Sequence, residues 1–313
     1  MKTIYHFSGA GNDFVVIDGR EGDVSEYRDV ARIEALCKEY KTDGLMILGQ
    51  EMPGQAGHDG EGKAGHDGGR DAGHDGGSTG SPTVMADPDR PSVDFTMEFY
   101  NPDGSGGMMC GNGGRCIVAF ADYLGIKPAA VERTAEGVTA APGVFLFRAP
   151  DGLHTGEILA RPEDGLWEVR IKMIDVHGIT PMLGGYFLNT GTRHFVKFVS
   201  DVEKVDIDTE GKALRWNPAF APVGTNVNFV HAAPDGLHVR TFEKGVEGET
   251  LACGTGLTAC ALVAHHAGIP TDTPGAYRLR ARQDWLSVNF TPGADEKFTD
   301  VYLTGPARLV EIL

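Results

Sequence analysis

Two cysteines occupy matched settings, Cys110-Gly111-Asn112-Gly113 and Cys253-Gly254-Thr255-Gly256, and each is followed by a small-residue and apolar run that ends at a glycine, Gly125 or Gly268. Both runs read as helices closed by a C-terminal glycine. A cysteine at the start of such a helix faces unpaired backbone N–H groups and the positive end of the macrodipole, and both favour the thiolate. The glycines let the backbone approach a ligand, and their N–H groups form a cradle suited to a carboxylate. If the two turns meet at a pseudo-twofold interface, two thiols flank one bound carbon and both helix ends point at its carboxylate. That geometry suits stereoinversion at the α-carbon of an amino acid. One cysteine removes the proton as thiolate, the other delivers a proton from the far side as thiol, and the helix ends stabilise the developing negative charge. A single turn of this kind commonly reflects a packed cysteine; a duplicated pair is much harder to assign to packing. Cys37, Cys116 and Cys260 lie inside apolar helical patterns and read as core residues.

The surroundings of the two turns repeat as well. Tyr100-Asn101 precedes the first turn and Phe242-Glu243 the second, and Gly11-Asn12-Asp13-Phe14-Val15-Val16 matches Thr192-Arg193-His194-Phe195-Val196-Lys197 in pattern. Internal duplication is the simplest account. Alternating or β-rich runs predict strands at 13–18, 93–99, 169–173 and 237–242, and helical patterns cover about 25–40, the two runs after the turns, and a short stretch at 201–205. The expected fold is α+β: two pseudo-symmetric domains, each a mostly antiparallel sheet wrapped around a central helix. The expected boundaries are 1–155 and 156–301, with the final strand at 302–313 completing the first domain. Within the first domain stands a segment of different composition, 52–92, in which Ala-Gly-His-Asp-Gly recurs from Ala56, Ala64 and Ala72. From Ala56 to Thr79 it holds no apolar residue larger than Ala with which to offset ordering entropy, and 52–92 reads as a disordered insertion. The eight-residue spacing of His58, His66 and His74 preorganises no metal site.

At 313 residues the chain is long enough for two cores. Its 28 Lys and Arg against 44 Asp and Glu leave a formal charge of −16, which argues against nucleic acid and anionic membranes as partners. The longest apolar runs fall short of the roughly 20 residues of a membrane span, and the start of the chain lacks a secretory signal pattern. A cytoplasmic protein with reduced thiols and a small-molecule substrate is expected, with a homodimer left open. Neither a Gly-x-Gly-x-x-Gly fingerprint after a strand nor a pyridoxal lysine context is present, so no cofactor and no metal are expected.

The chain resembles the diaminopimelate epimerase family through the segments 7–18, Asn101-Pro102-Asp103-Gly104-Ser105, Met109-Cys110-Gly111-Asn112-Gly113-Gly114-Arg115-Cys116, Gly224-Thr225-Asn226-Val227-Asn228-Phe229-Val230 and Glu249-Thr250-Leu251-Ala252-Cys253-Gly254-Thr255-Gly256. The resemblance implies a cofactor-independent racemase-type fold with its site between two similar domains, and interconversion of LL- and meso-diaminopimelate on the lysine and cell-wall pathway. It makes Cys110 and Cys253 the acid/base thiols and His194 and Glu243 their polar partners. Asn12, Asn101 and Asn226 fall where the family holds substrate, alongside Thr192, Lys244 and the helix-start residues Gly111, Asn112, Gly254 and Thr255. Several positions depart from the family pattern. Gly-Asn-Pro-His reads Gly191-Thr192-Arg193-His194, and Glu-Arg reads Glu243-Lys244, a point charge in place of a fork. One extra residue lies in Val246-Glu247-Gly248, Ser-Glu reads Ser105-Gly106, and a glutamine near the first helix reads Gly44. These changes bear on the distal end of the substrate more than on the proton chemistry, and Arg193 is a rival candidate for the missing fork. Two other readings compete: a two-thiol racemase for a smaller amino acid of the proline type, and a non-catalytic amino-acid-binding or metal-binding module. Asn101, Asn226 and Lys244 would be left unpaired in the first, and the second has no need of two thiols.

Overall fold

A computed structural model of the chain describes residues 2–50, 93–106, 109–135 and 137–313. The histidine repeat and the disorder expected for 52–92 lie outside the described residues.

In chain order the elements begin with strands β1 (Ile4–Gly9) and β2 (Asn12–Asp18), helix α1 (Val30–Tyr40), and strands β3 (Gly44–Gly49) and β4 (Phe95–Tyr100). Helix α2 (Gly111–Tyr123) follows, then a separate hairpin of β5 (Arg133–Ala135) and β6 (Val138–Ala140), and β7 (Phe145–Ala149), β8 (Gly152–Glu163) and β9 (Leu166–Lys172). The second set runs β10 (Val176–His177), β11 (Thr180–Met182), β12 (Gly185–Asn189), β13 (Arg193–Phe198), short helix α3 (Lys212–Arg215), β14 (Asn226–Ala233), β15 (Gly236–Glu243) and β16 (Gly248–Thr250). Helix α4 (Gly254–His266), β17 (Ala276–Arg280), β18 (Trp285–Pro292) and β19 (Lys297–Ile312) complete it.

Strand pairing makes the duplication explicit. In the first set β1 and β2 are antiparallel, β2 and β3 parallel, β3 and β4 antiparallel, β4 and β7 parallel, and β7, β8 and β9 antiparallel in succession. The second set repeats this sequence of orientations through β12, β13, β14, β15, β17, β18 and β19. The long strand β19 serves both: its beginning pairs with β10 and β18, whereas Gly305–Arg308 pairs with β9 and the end of the chain with β1. The first set thereby closes through β19 around α2, and the second runs from β11 through β18 and β19 to β10 around α4. The boundary expected at 155/156 falls inside β8, which pairs with β7 and β9.

Alternation along the strands explains why they are buried on both faces. In β2 and β3, Phe14, Val16, Met46 and Leu48 face the cluster around the central helix, while Val15, Ile17, Leu45 and Ile47 face a second cluster with Ile33 and Leu36 of α1. In the second half Phe195, Val227 and Phe229 face outward against Val202, Ile207 and Phe220. Helix α2 is buried from Gly111 through Ala121, as a helix surrounded by sheet must be. The helix predicted over 25–40 is two pieces, a 3-10 turn at Ser25–Arg28 and α1, because Asp29 takes an extended conformation and caps α1 by accepting from the Arg32 N–H at 3.1 Å. The stretch at 201–205 contains only a 3-10 turn, Val202–Lys204.

Candidate active site

Both cysteines stand at the position expected of them, the N-cap of a central helix, Cys110 for α2 and Cys253 for α4, each in extended backbone conformation. Their first helical residues meet. A Cβ added to Gly254 would lie 3.6 Å from Gly111 Cα and 2.9 Å from Leu303 Cδ2, and one on Gly111 would lie 3.8 Å from Gly254 Cα. The two helix N-termini thus abut, and both macrodipoles converge on one cleft between the halves, while a side chain at Gly254 would press on Leu303.

The thiols feel opposing influences. Burial pushes Cys110 up, the Glu243 charge adds to this, and the N–H groups of Gly113 and Asn112 and the charge of Arg115 pull it down. Burial and Glu243 likewise push Cys253 up, against the Thr255 hydroxyl and the Gly256 N–H, and the charge of Cys110 raises it further. Each helix end thus supplies its own cysteine with donors, and a single carboxylate acts on both thiols. That carboxylate, at the end of β15, is itself raised by burial and by Asp43, while Thr250 Oγ1 donates to Glu243 Oε2 at 2.9 Å and lowers it.

His194 on β13 is fully buried, and burial pushes its pKa down to about 3, so the ring is neutral. Its Nε2 lies 3.0 Å from Thr255 Oγ1 and 2.9 Å from Thr192 Oγ1, and Thr255 Oγ1 lies 3.5 Å from Cys253 Sγ. Among the described residues, His194 therefore reaches the thiol through Thr255.

The asparagines differ in what they have free. Asn12 opens β2 directly after the two-residue turn Ala10-Gly11, in which both φ are positive, 57° and 88°, as a tight hairpin requires. Its Oδ1 accepts from Asn112 Nδ2, and its own Nδ2 donates to Asp43 Oδ2 at 3.3 Å. The Asn112 amide is committed within the protein: Nδ2 also donates to Ala252 O at 3.0 Å, and Oδ1 accepts from Arg115 Nη2 at 2.8 Å. This leaves Asn112 bracing Asn12 with its side chain and offering a ligand only its backbone N–H. Asn226 is held similarly, Nδ2 donating to Arg193 O at 3.0 Å and Oδ1 accepting from Lys244 N at 2.8 Å, so it orients the turn that carries Lys244. Asn101 is exposed and donates to Ser105 Oγ at 3.0 Å inside its own loop. Lys244 is exposed, and no ion pair is recorded for its ammonium among the described residues. Arg193 points elsewhere: its Nη1 donates to Phe220 O at 3.2 Å and its guanidinium lies 5.1 Å from the centroid of the Phe187 ring. The strand period explains this, since neighbours on β13 project to opposite faces and His194 faces the cleft.

Sequence reasoning passed over Asp43, Thr250, Arg115, Thr241 and Asn228 as site residues. For Asn228 a signal existed: it lies two residues beyond Asn226 on a strand and so shares its face. Thr250 and Asp43 are brought to Glu243 and Asn12 by tertiary pairing alone.

A model of the family described as diaminopimelate epimerase matches residues 186–310. The diaminopimelate epimerase of Chlorobaculum tepidum is 32% identical over 312 residues, 97% of either chain. That of Aquifex aeolicus is 36% identical over 312 residues, covering 96% of this chain and 93% of its own. Solved structures with the same fold include a Bacillus anthracis phenazine biosynthesis protein of the PhzF family, with TM-score 0.65 at 10% identity over 100% of this chain and 98% of that one. A hydroxyproline epimerase from Agrobacterium vitis superposes with TM-score 0.53 at 14% identity over 100% and 91% of the two chains.

Proposed function

The chain belongs to the diaminopimelate epimerase family of isomerases, and from that premise we propose that it interconverts LL- and meso-diaminopimelate in the cytoplasm by proton transfer between Cys110 and Cys253. One observation carries the reading: two cysteines cap two central helices whose first residues touch across the cleft.

Stereoinversion needs one thiolate and one thiol on opposite faces of the α-carbon. In the free cleft burial and the Glu243 charge hold both thiols protonated, and the helix-end N–H groups partly oppose that. Glu243, raised by burial and facing both thiols, takes the proton that leaves the cysteine acting as base. The N–H groups at the two helix starts receive the substrate α-carboxylate and the enolate-like charge that develops on it. Asn12 and Thr192 line the approach. Lys244, with a free ammonium, meets the distal carboxylate, while Arg193 stays on Phe187 and Phe220.

The experiment is α-proton exchange in heavy water with each stereoisomer supplied in turn. Deuterium should enter with inversion from either isomer, and Cys110→Ala and Cys253→Ala should each abolish interconversion while leaving the fold intact. Near-normal turnover by either variant would refute the two-thiol assignment. At the distal end, Lys244→Ala should lower kcat/KM by roughly tenfold to a hundredfold, the value of a charge-assisted hydrogen bond, with Arg193→Ala much milder. The reverse ranking would return the fork to Arg193.

A further inference from the structure

Behind His194 lies a buried polar chain that neither thiol touches. Asn228 is fully buried on β14; its Nδ2 donates to Phe195 O at 3.1 Å and lies 3.1 Å from His194 Nδ1, and its Oδ1 accepts from Thr241 Oγ1 at 2.9 Å. Phe195 O can only accept, so the amide nitrogen must face it, and the second hydrogen of that nitrogen then points at His194 Nδ1. In the neutral ring Nδ1 is therefore the acceptor and Nε2 carries the proton. The Nε2–H donates to the pair of hydroxyls, Thr192 and Thr255, which are 3.3 Å apart. Thr192 Oγ1 also accepts from Asn226 Nδ2 at 3.3 Å, so the donors crowd onto this pair and leave the Thr255 hydrogen free for Cys253 Sγ. A Cβ on Gly256 would collide with Asn228 Oδ1 and lie 3.3 Å from His194 Cε1, so the packing of α4 leaves this chain no room to shift.

We propose that Asn228, ordered by Thr241 and the Phe195 carbonyl, is a positioning residue that locks His194 as the Nε2–H tautomer and so turns the Thr255 hydroxyl proton onto Cys253 Sγ. His194 is then a fixed donor rather than a base. Had Nδ1 carried the proton, Nε2 would draw the Thr255 hydrogen to itself and the thiolate of Cys253 would lose its side-chain donor. The proposal rests on the reading of Cys253 as an acid/base thiol, and its test uses no substrate, so a protein without diaminopimelate turnover would leave the test intact.

Two measurements decide it. Histidine-selective 15N NMR of the unmodified protein, with the His194 signal identified by its loss in His194→Gln, should show a neutral ring protonated at Nε2 between about pH 5 and 8. Alkylation by iodoacetamide, followed across pH at each cysteine by peptide mass spectrometry, should show the Cys253 profile moved upward by about one pH unit in Thr255→Val, roughly tenfold slower at neutral pH. Thr255→Ser should keep the wild-type profile, and Cys110 should keep its own in both. Asn228→Leu should shift Cys253 alone, yet add nothing in the Thr255→Val background, because its effect passes through that hydroxyl. A ring protonated at Nδ1 or doubly protonated at pH 7, an unshifted Cys253 in Thr255→Val, or additive shifts in the double variant would each overturn the proposal. Should Asn228→Leu fail to fold, the NMR tautomer and the Thr255 pair still give the answer.

Discussion

At Glu243 one carboxylate sets the tone for two thiols, and the sign of its influence can be worked out. Its negative charge raises Cys110 and Cys253 together. Glu243→Gln removes that charge, so wherever the wild-type carboxylate is ionised both cysteines should ionise more readily and alkylate faster. If Glu243 exchanges protons with the thiols as proposed, turnover should fall nonetheless, by about a hundredfold or more. Slower alkylation in Glu243→Gln would mean that the carboxylate does not face the thiols as an anion. His194 makes a separate, thermodynamic prediction. Its folded pKa of about 3 lies below the unfolded value of 6.5, so the unfolded chain takes up a proton that the folded one refuses. The stability tied to its neutral form is complete above about pH 6.5 and is lost as pH falls toward 3. Thermal melts of wild type and His194→Gln should therefore diverge in slope over that window, the wild type losing more. Parallel slopes would mean that folding leaves the ring's proton affinity unchanged.

The helices do at the scale of the element what no single residue does. Each begins with a glycine that lies against its counterpart, and the third residue of α4, Gly256, leaves space for Asn228 and His194. Gly256→Ala places a methyl group against both, at a cost of about 1–3 kcal/mol for overpacking, read as a lower denaturation midpoint. Because the displaced groups are those behind Thr255, activity should drop further than the lost stability explains. Gly125, at φ 77° after α2 with no atom within 4 Å of an added Cβ, is the contrast: its substitution should cost only the backbone strain and spare turnover. The broken helix at 25–40 shows a limit of periodicity: apolar spacing continues through Asp29, but a side chain that caps the following turn ends one element and begins the next.

Over the whole molecule, the two strand sets are joined through β19, and the two cysteine-capped helix starts meet between them. The segment 52–92 enters after β3 and leaves before β4, and Gly49 and Thr96 are partners across that antiparallel ladder. The strand ends are already adjacent, so removing 52–92 and joining them by a short turn leaves every described strand pairing in place. Loop-closure entropy changes by only about 0.6 kcal/mol per doubling of length, so stability should be unchanged or slightly higher and diaminopimelate turnover preserved. A large loss of activity, or a metal requirement abolished by the deletion, would give the histidine repeat a function.

The local signals that reached through the sequence were those with short range. Cysteine-glycine turns before apolar runs marked two helix starts, alternation marked the strands through Asp13–Asp18 and Leu237–Phe242, and the repetition of both marked a duplicated α+β fold around paired thiols. What those signals could not carry was anything decided by contact between distant segments. That Arg193 turns onto Phe187 while His194 faces the cleft depends on which face of β13 each half covers. That Asn112 spends its amide on Asn12 and Ala252, and that Thr250 and Asp43 come to bear on Glu243, depends on pairings more than five residues apart. A turn or a cap is written in neighbouring residues because its energy lies in their own backbone; the charge on a thiol and the direction of a hydroxyl proton are set by groups that only the closed fold brings within hydrogen-bonding distance.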